Sequence, residues 1–233
     1  MKNKNKKDIE SYRDFIQAKK RIVRDSGFEV SEGDLNKNLF DFQRFTVATA
    51  LRKGRFAIFA DCGLGKTLMQ LEWANQVKKH TGLPVLILCP LAVAGQTIAE
   101  GERFGMPVWC VPAYHDPVYA GVYISNYDQL ENINTAKFSG VVLDESSVLK
   151  NFEGKTRTAI IEAFRETPYK LACTATPSPN DPMELGNHAE FLNVMSRVQM
   201  LSMYFVHDGG ETSKWRIKGH AAQPFWDFVS EWS

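Results

Sequence analysis

The stretch that most restricts how this chain can fold runs from Arg55 to Thr67, Arg-Phe-Ala-Ile-Phe-Ala-Asp-Cys-Gly-Leu-Gly-Lys-Thr. A short apolar run stops at a glycine-rich turn, and an amphipathic, helix-like segment from Leu68 to Lys79 follows at once. The apolar run predicts a strand, and the glycines let the backbone turn sharply into the next helix. A loop of this kind aims backbone N–H groups and a helix N-terminus at one point, which favours a polyphosphate there. Lys66 is then in reach of the β- and γ-phosphates, and the Thr67 hydroxyl takes a place on Mg²⁺. Asp61, Cys62, Gly63, Leu64 and Gly65 form the rest of the cradle. The strict pattern has glycine at position 60, whereas this chain has Ala60, so its loop reads A-x-x-G-x-G-K-T.

Two further strand ends carry chemistry. Gly140-Val-Val-Leu-Asp144-Glu145 is a buried-strand pattern that delivers adjacent carboxylates, 78 residues after Lys66. Neighbouring strand residues point opposite ways, so one acid can serve the metal and the other a water. Asp144 is the candidate Mg²⁺ ligand and Glu145 the candidate base. Lys170-Leu-Ala-Cys-Thr174-Ala175-Thr176-Pro177 ends a third strand, 30 residues beyond Asp144. Its threonines suit either a simple turn or a relay that touches the acids; in the company of the other two motifs the relay is favoured.

Strand and helix signals alternate from residue 55 onward: strands at 55–60, 84–89, 107–111, 121–124, 139–143 and 169–173, helices at 66–80, 91–104 and 155–165, and a helix-like turn at 127–133. That alternation predicts an α/β fold, a mostly parallel sheet with helices on both faces. Helices are also expected at 8–25 and 41–53. The aromatic tail places Phe225, Phe228 and Trp232 at spacings that share one buried helix face, a better account than base stacking.

Apolar runs are strand-length, well below the ~20 residues of a membrane span. No secretory signal is visible behind the lysine-rich start. Cys62, Cys89, Cys110 and Cys173 are widely spaced, and three close apolar runs, as expected of buried free thiols in a reducing, cytoplasmic setting. The net charge of +1 is uneven: residues 1–24 hold nine Lys/Arg against three Asp/Glu. Such a basic arm fits either nucleic-acid contact or a solvated terminus.

In order and spacing, A-x-x-G-x-G-K-T, D-E-x-x and T-A-T-P resemble the first RecA-like lobe of superfamily 2 helicases and translocases. Asp61-Cys-Gly-Leu-Gly-Lys-Thr67 is similar to the loop of the Snf-type, chromatin-remodeller-like branch and its phage and bacterial relatives. Asp144-Glu-Ser-Ser-Val-Leu-Lys-Asn151 resembles that branch's acidic motif, with Ser147 where histidine is usual. Leu86-Ile-Leu-Cys-Pro90-Leu91 and Val122-Tyr-Ile-Ser-Asn-Tyr127-Asp-Gln-Leu130 resemble two more of its elements, and Phe42-Gln43 its aromatic-glutamine pair. The tail from Lys214 through Trp226 is similar to a segment of the phage-type members.

The resemblance implies a RecA-like P-loop NTPase lobe at 37–195, a basic helical arm at 1–36, and a helical extension at 196–233 leading toward a second lobe. It implies ATP and Mg²⁺ as cofactors, Gln43 as reader of adenine, and Thr174, Ala175 and Thr176 as coupling residues. It also implies double-stranded DNA as partner, with Pro90, Leu91, Ser125, Asn126 and Tyr127 as contact candidates. The second lobe that supplies arginine fingers in such motors is expected in trans or lost by truncation, because Arg197 and Arg216 are the only arginines after Thr176. An arginine finger contributes about 10³–10⁵ in rate, so slow turnover is expected of this lobe by itself. The rival expectation is an ATP-dependent binding module with little hydrolysis of its own.

Overall fold

The computed structural model describes residues 23–111, 117, 119–150, 154–207 and 215–233. Helix α1 (Asp41–Lys53) leads into β1 (Arg55–Phe59), followed by α2 (Lys66–Thr81), β2 (Val85–Cys89), α3 (Leu91–Arg103), β3 (Val108–Cys110), β4 (Val122–Asn126) and β5 (Gly140–Asp144). Then come α4 (Lys155–Ala163), β6 (Tyr169–Thr174), α5 (Leu185–Phe191), α6 (Arg197–Tyr204), the short strands β7 (Phe205–His207) and β8 (Trp215–Ile217), and α7 (Ala222–Ser230). Six strands form one parallel sheet in the order β1-β6-β5-β2-β4-β3.

The central strands are apolar throughout because both faces are covered. Along β2, Val85, Ile87 and Cys89 face one core with Leu51, Leu71 and Trp73 of α1 and α2. Leu86 and Leu88 face the other, with Ile160, Phe164 and Phe191 from α4 to α5. Each fully buried aliphatic or aromatic side chain contributes about 1.5–3 kcal/mol, so the sandwich is held chiefly by this two-sided burial.

The C-terminal segment belongs to the second core: Phe225 and Trp232 are fully buried and Phe228 nearly so, as the spacing predicts. The Ala57 N–H donates to the Trp232 carbonyl at 2.8 Å. That bond and the indole against Phe59 cover part of the open edge of β1, where unpaired backbone groups would otherwise lie. The tail is not helical alone: β7 and β8 pair antiparallel, Phe205 opposite Ile217 and His207 opposite Trp215. Of the helix expected at 8–25, residues 8–22 lie outside the described ones, and Val23 to Asp25 are not helical. Cys89 and Cys173 are buried, but Cys110 is exposed, because it ends β3, the sheet's edge strand. Among the described residues no helix is long and apolar enough to cross a membrane.

Candidate active site

Strand order explains why three motifs far apart in sequence can meet. β1, β6 and β5 are neighbours, so their C-terminal ends release the Ala60–Thr67 loop, Thr174–Thr176 and Asp144–Glu145 side by side. The carboxyl edge of a parallel sheet is where ligands of such folds bind.

The loop is built around Gly63 and Gly65, at φ +82° and +73°. A Cβ on Gly63 would meet no atom within 4 Å, so that turn stands open. One on Gly65 would lie 2.4 Å from Gln43 Nε2 and would push that side chain aside, and the left-handed backbone itself favours glycine. Gly65 is the N-cap of α2, whose first turn has neither a side-chain cap nor an acidic residue. Its N–H groups are therefore open to an anion. Lys66 Nζ donates to the carbonyls of Ala60 at 2.8 Å and Asp61 at 3.1 Å. Asp61 Oδ1 accepts from the Cys62 N–H at 2.7 Å, and Leu64 is exposed. Gln43 is buried; its Oε1 accepts from the Phe40 N–H and its Nε2 donates to the Leu64 carbonyl, each at 2.9 Å.

Asp144 ends β5 half-buried, and burial raises its carboxyl above the ordinary aspartate range. Gln70 opposes that rise, Glu145 adds to it by like charge, and the Lys66 ammonium opposes it. The amine and the acid thus act on each other across one site. Gln70, fully buried on α2, has amide atoms without a hydrogen bond, but its dipole lies near enough to favour the charged aspartate. Glu145 has a left-handed backbone, φ 61° and ψ 61°, and its Oε1 accepts from the Thr174 hydroxyl at 2.7 Å. The Thr176 N–H donates to Thr174 Oγ1 at 3.0 Å, so the third strand end is linked through the Thr174 hydroxyl to Glu145.

Among the nucleic-acid candidates, Leu91 is exposed at the start of α3, after Pro90. Ser125 and Asn126 end β4 on the same sheet edge, and Asn126 Oδ1 accepts from the Gln129 N–H. Tyr127 is turned inward: its hydroxyl donates to the Asp144 carbonyl at 2.7 Å. Burial, and then the Asp144 charge, push its phenol well above the ordinary range.

The sequence reading passed over Gln70 and this inward role of Tyr127. Gln70 carried no local signal of its own: only the structure shows that every residue from Leu68 to Val77 is buried, which places its amide inside.

The residues present fit Mg²⁺ carried on a triphosphate. Thr67 with one aspartate is the sparse protein donor set that magnesium uses when phosphates supply the rest.

The fold is α/β, that of a RecA-like ATPase lobe. The chain superposes on the Sulfolobus solfataricus SWI2/SNF2 ATPase core in complex with double-stranded DNA with a TM-score of 0.69, at 21% identity, over 88% of this chain and 46% of that one. The UvsW helicase of bacteriophage T4 gives a TM-score of 0.54 at 15% identity, over 73% and 63%. In sequence, the chain is 29% identical over 183 residues to the Xenopus tropicalis SWI/SNF-related matrix-associated actin-dependent regulator of chromatin subfamily A-like protein 1, covering 72% of this chain and 19% of that protein. It is 30% identical over 159 residues to the human DNA repair and recombination protein RAD54B, covering 59% and 17%. The chain therefore spans less than a quarter of these relatives' length. No protein-family model matches it. The chain is thus similar in sequence to SWI/SNF-related and RAD54-type proteins and in fold to the SWI2/SNF2 ATPase core structures.

Proposed function

We propose that this chain is the ATP-binding lobe of a DNA-dependent ATPase of the helicase or translocase type. The observation that carries this reading is convergence at one sheet edge: neighbouring strands β1, β6 and β5 end in the glycine loop, Thr174 and the acids, and Thr174 bonds Glu145. Lys66, the open N–H groups of α2, Thr67 and Asp144 would hold ATP·Mg²⁺, and Gln43 would meet the adenine. The bound magnesium and triphosphate would supply the charge to be neutralised and the bond to be cleaved. Glu145 would accept the proton of the attacking water, held in place by Thr174. Thr174 to Thr176 would report occupancy of the site to the segment behind them.

The DNA is proposed to be double-stranded, because the Sulfolobus neighbour is an ATPase core in complex with dsDNA. Its contact would fall at Pro90–Leu91 and Ser125–Asn126, on the sheet edge beyond β5, largely through phosphates. The domain division at residues 36 and 195, a phage-type origin and a cytoplasmic setting belong to the same proposal. So does a second lobe, in trans or in a longer chain, without which turnover is slow.

The test is ATP turnover by the chain with and without single- and double-stranded DNA, alongside Glu145→Gln. The variant should retain ATP while hydrolysis falls by about 10²–10⁴, since an amide cannot take the proton. Equal loss of ATP binding in the variant, or a wild type indifferent to ATP, would overturn the reading.

A further inference from the structure

Behind the acidic turn lies a buried polar contact that the proposed chemistry leaves unused. Ser146 Oγ and His188 Nε2 are 3.0 Å apart, from segments 42 residues distant in sequence. Both residues are fully buried. Ser146 opens the short helical turn that follows Glu145, and His188 sits within α5. The same imidazole meets Phe59 edge-on, with ring centroids 5.3 Å apart. Phe59 closes β1 immediately before the glycine loop, so one ring touches both arms of the site.

The backbone of Glu145 needs such support. At φ 61° it occupies the left-handed region that residues other than glycine avoid, and such a residue persists only where its surroundings fix it. Three side-chain hydrogen bonds among the described residues act around it. Tyr127 holds the carbonyl of Asp144, Thr174 holds the Glu145 carboxylate, and His188 holds the side chain of Ser146. The last is on the C-terminal side of the strained residue and next to it in sequence; further along, Asn187 of the same helix donates to the carbonyls of Leu149 at 2.8 Å and Lys150 at 3.2 Å.

We infer that His188 is a positioning residue for the Asp144–Glu145 turn: by holding Ser146 it keeps Glu145 in the conformation from which its carboxylate reaches Thr174. The inference rests on the proposed role of Glu145, and His188 itself touches no reacting atom. A histidine that merely filled space would be replaced by leucine with the turn unchanged, because Phe59 and the core would still be packed. A histidine that positions the turn acts through its nitrogen, and leucine has none.

The test compares the whole chain with His188→Leu, His188→Gln, Ser146→Ala and the His188→Leu/Ser146→Ala double variant by amide hydrogen exchange, together with ATP turnover. His188→Leu should speed exchange across 144–150 by about tenfold while strand 85–89 is unmoved. Ser146→Ala should do the same, and the double variant should add nothing to either single change. His188→Gln, whose amide can still bond the serine, should restore much of the protection. In the ATPase assay kcat should fall while KM for ATP stays within about twofold, the sign of a lost transition-state contact. Unchanged exchange at 144–150 in Ser146→Ala, a rise shared equally by 85–89, or additive effects would overturn the inference. Should His188→Leu fail to fold, Ser146→Ala and His188→Gln decide the matter. Should the wild type show no ATP binding or turnover, the role of Glu145 fails, while the exchange result still decides whether His188 holds the turn.

Discussion

Two lysines at opposite ends of the same strand pair have opposite fates. Lys66 lies just past the C-terminal end of β1, and Lys170 near the N-terminal end of its partner β6. Both donate to backbone carbonyls, Lys66 to Ala60 and Asp61, Lys170 to Phe191 at 2.9 Å. Lys66 is half-buried beside an open glycine turn, where an anion can take the ammonium over from two carbonyls. Lys170 is fully buried, 5.4 Å over the Phe191 ring, against the last carbonyl of α5. A helix C-terminus and an aromatic face both favour a cation. Burial nevertheless pushes its ammonium down to about 7, and Arg55 adds to the shift. The difference teaches that a lysine's partners say less about its role than whether they can be replaced.

The largest effect is expected where the partners are replaceable. Lys66→Ala should lower ATP turnover by about 10²–10³ through lost charge stabilisation. Its melting temperature should stay within about 2 °C of wild type, because the two carbonyls it leaves lie at an open turn where water can replace the ammonium. Turnover assays and a thermal melt check both halves. A sharply lowered melting temperature would show that Lys66 props the loop and would erase the contrast.

Lys170→Ala should do the reverse. It removes a buried stem and leaves a helix-end carbonyl unpaired, at a cost of about 2–5 kcal/mol. Urea unfolding should show that loss with KM for ATP unchanged.

A milder effect follows from protonation. The folded chain holds Lys170 at about 7 against an ordinary 10.5, so between those values the unfolded chain binds the extra proton. Stability therefore rises with pH across that window and is lost as pH falls toward 7. Wild type should gain roughly 1–2 kcal/mol between about pH 7.5 and 9, and Lys170→Met should gain less. Parallel pH profiles for the two would mean that the buried amine carries no such penalty.

The contrast also marks what was legible in the sequence. The parallel sheet could be read because strands buried on both faces are apolar without interruption, as in Val85–Cys89 and in 140–143 ahead of Asp144. Meeting of the three motif ends was expected from the same pattern, since β1, β5 and β6 each stop at a polar turn. Lys170 was read only as the start of a strand, although a charge inside a run covered on both sides signals a buried partner. The pairing of Ser146 with His188 had no local signal, because it spans 42 residues. Nor did the β7–β8 pair, whose strands are three residues each and carry exposed positions. Its His207 and Trp215 rings meet tilted at 38°, centroids 3.6 Å apart, only once the two segments are brought together.

Gln43 falls between the two lysines, and its test has the smallest expected effect. It is buried like Lys170, yet it borders the same loop as Lys66. Each end of its amide already has one protein partner, while a side-chain amide offers two donors and an acceptor with two lone pairs. One donor and one lone pair thus remain, the complement an adenine edge requires. Gln43→Ala should cost about 1 kcal/mol of stability, the loss of a helix-end bond. It should also narrow the preference for ATP over GTP by about tenfold or less, since one lost hydrogen-bonding group is worth about 1 kcal/mol. Comparing kcat/KM for the two nucleotides measures the second effect and urea unfolding the first. Reduced stability with an unaltered nucleotide ratio would make Gln43 a tether of the loop, on the structural side with Lys170. A narrowed ratio would put it with Lys66, among the groups whose partners are exchanged when the site fills.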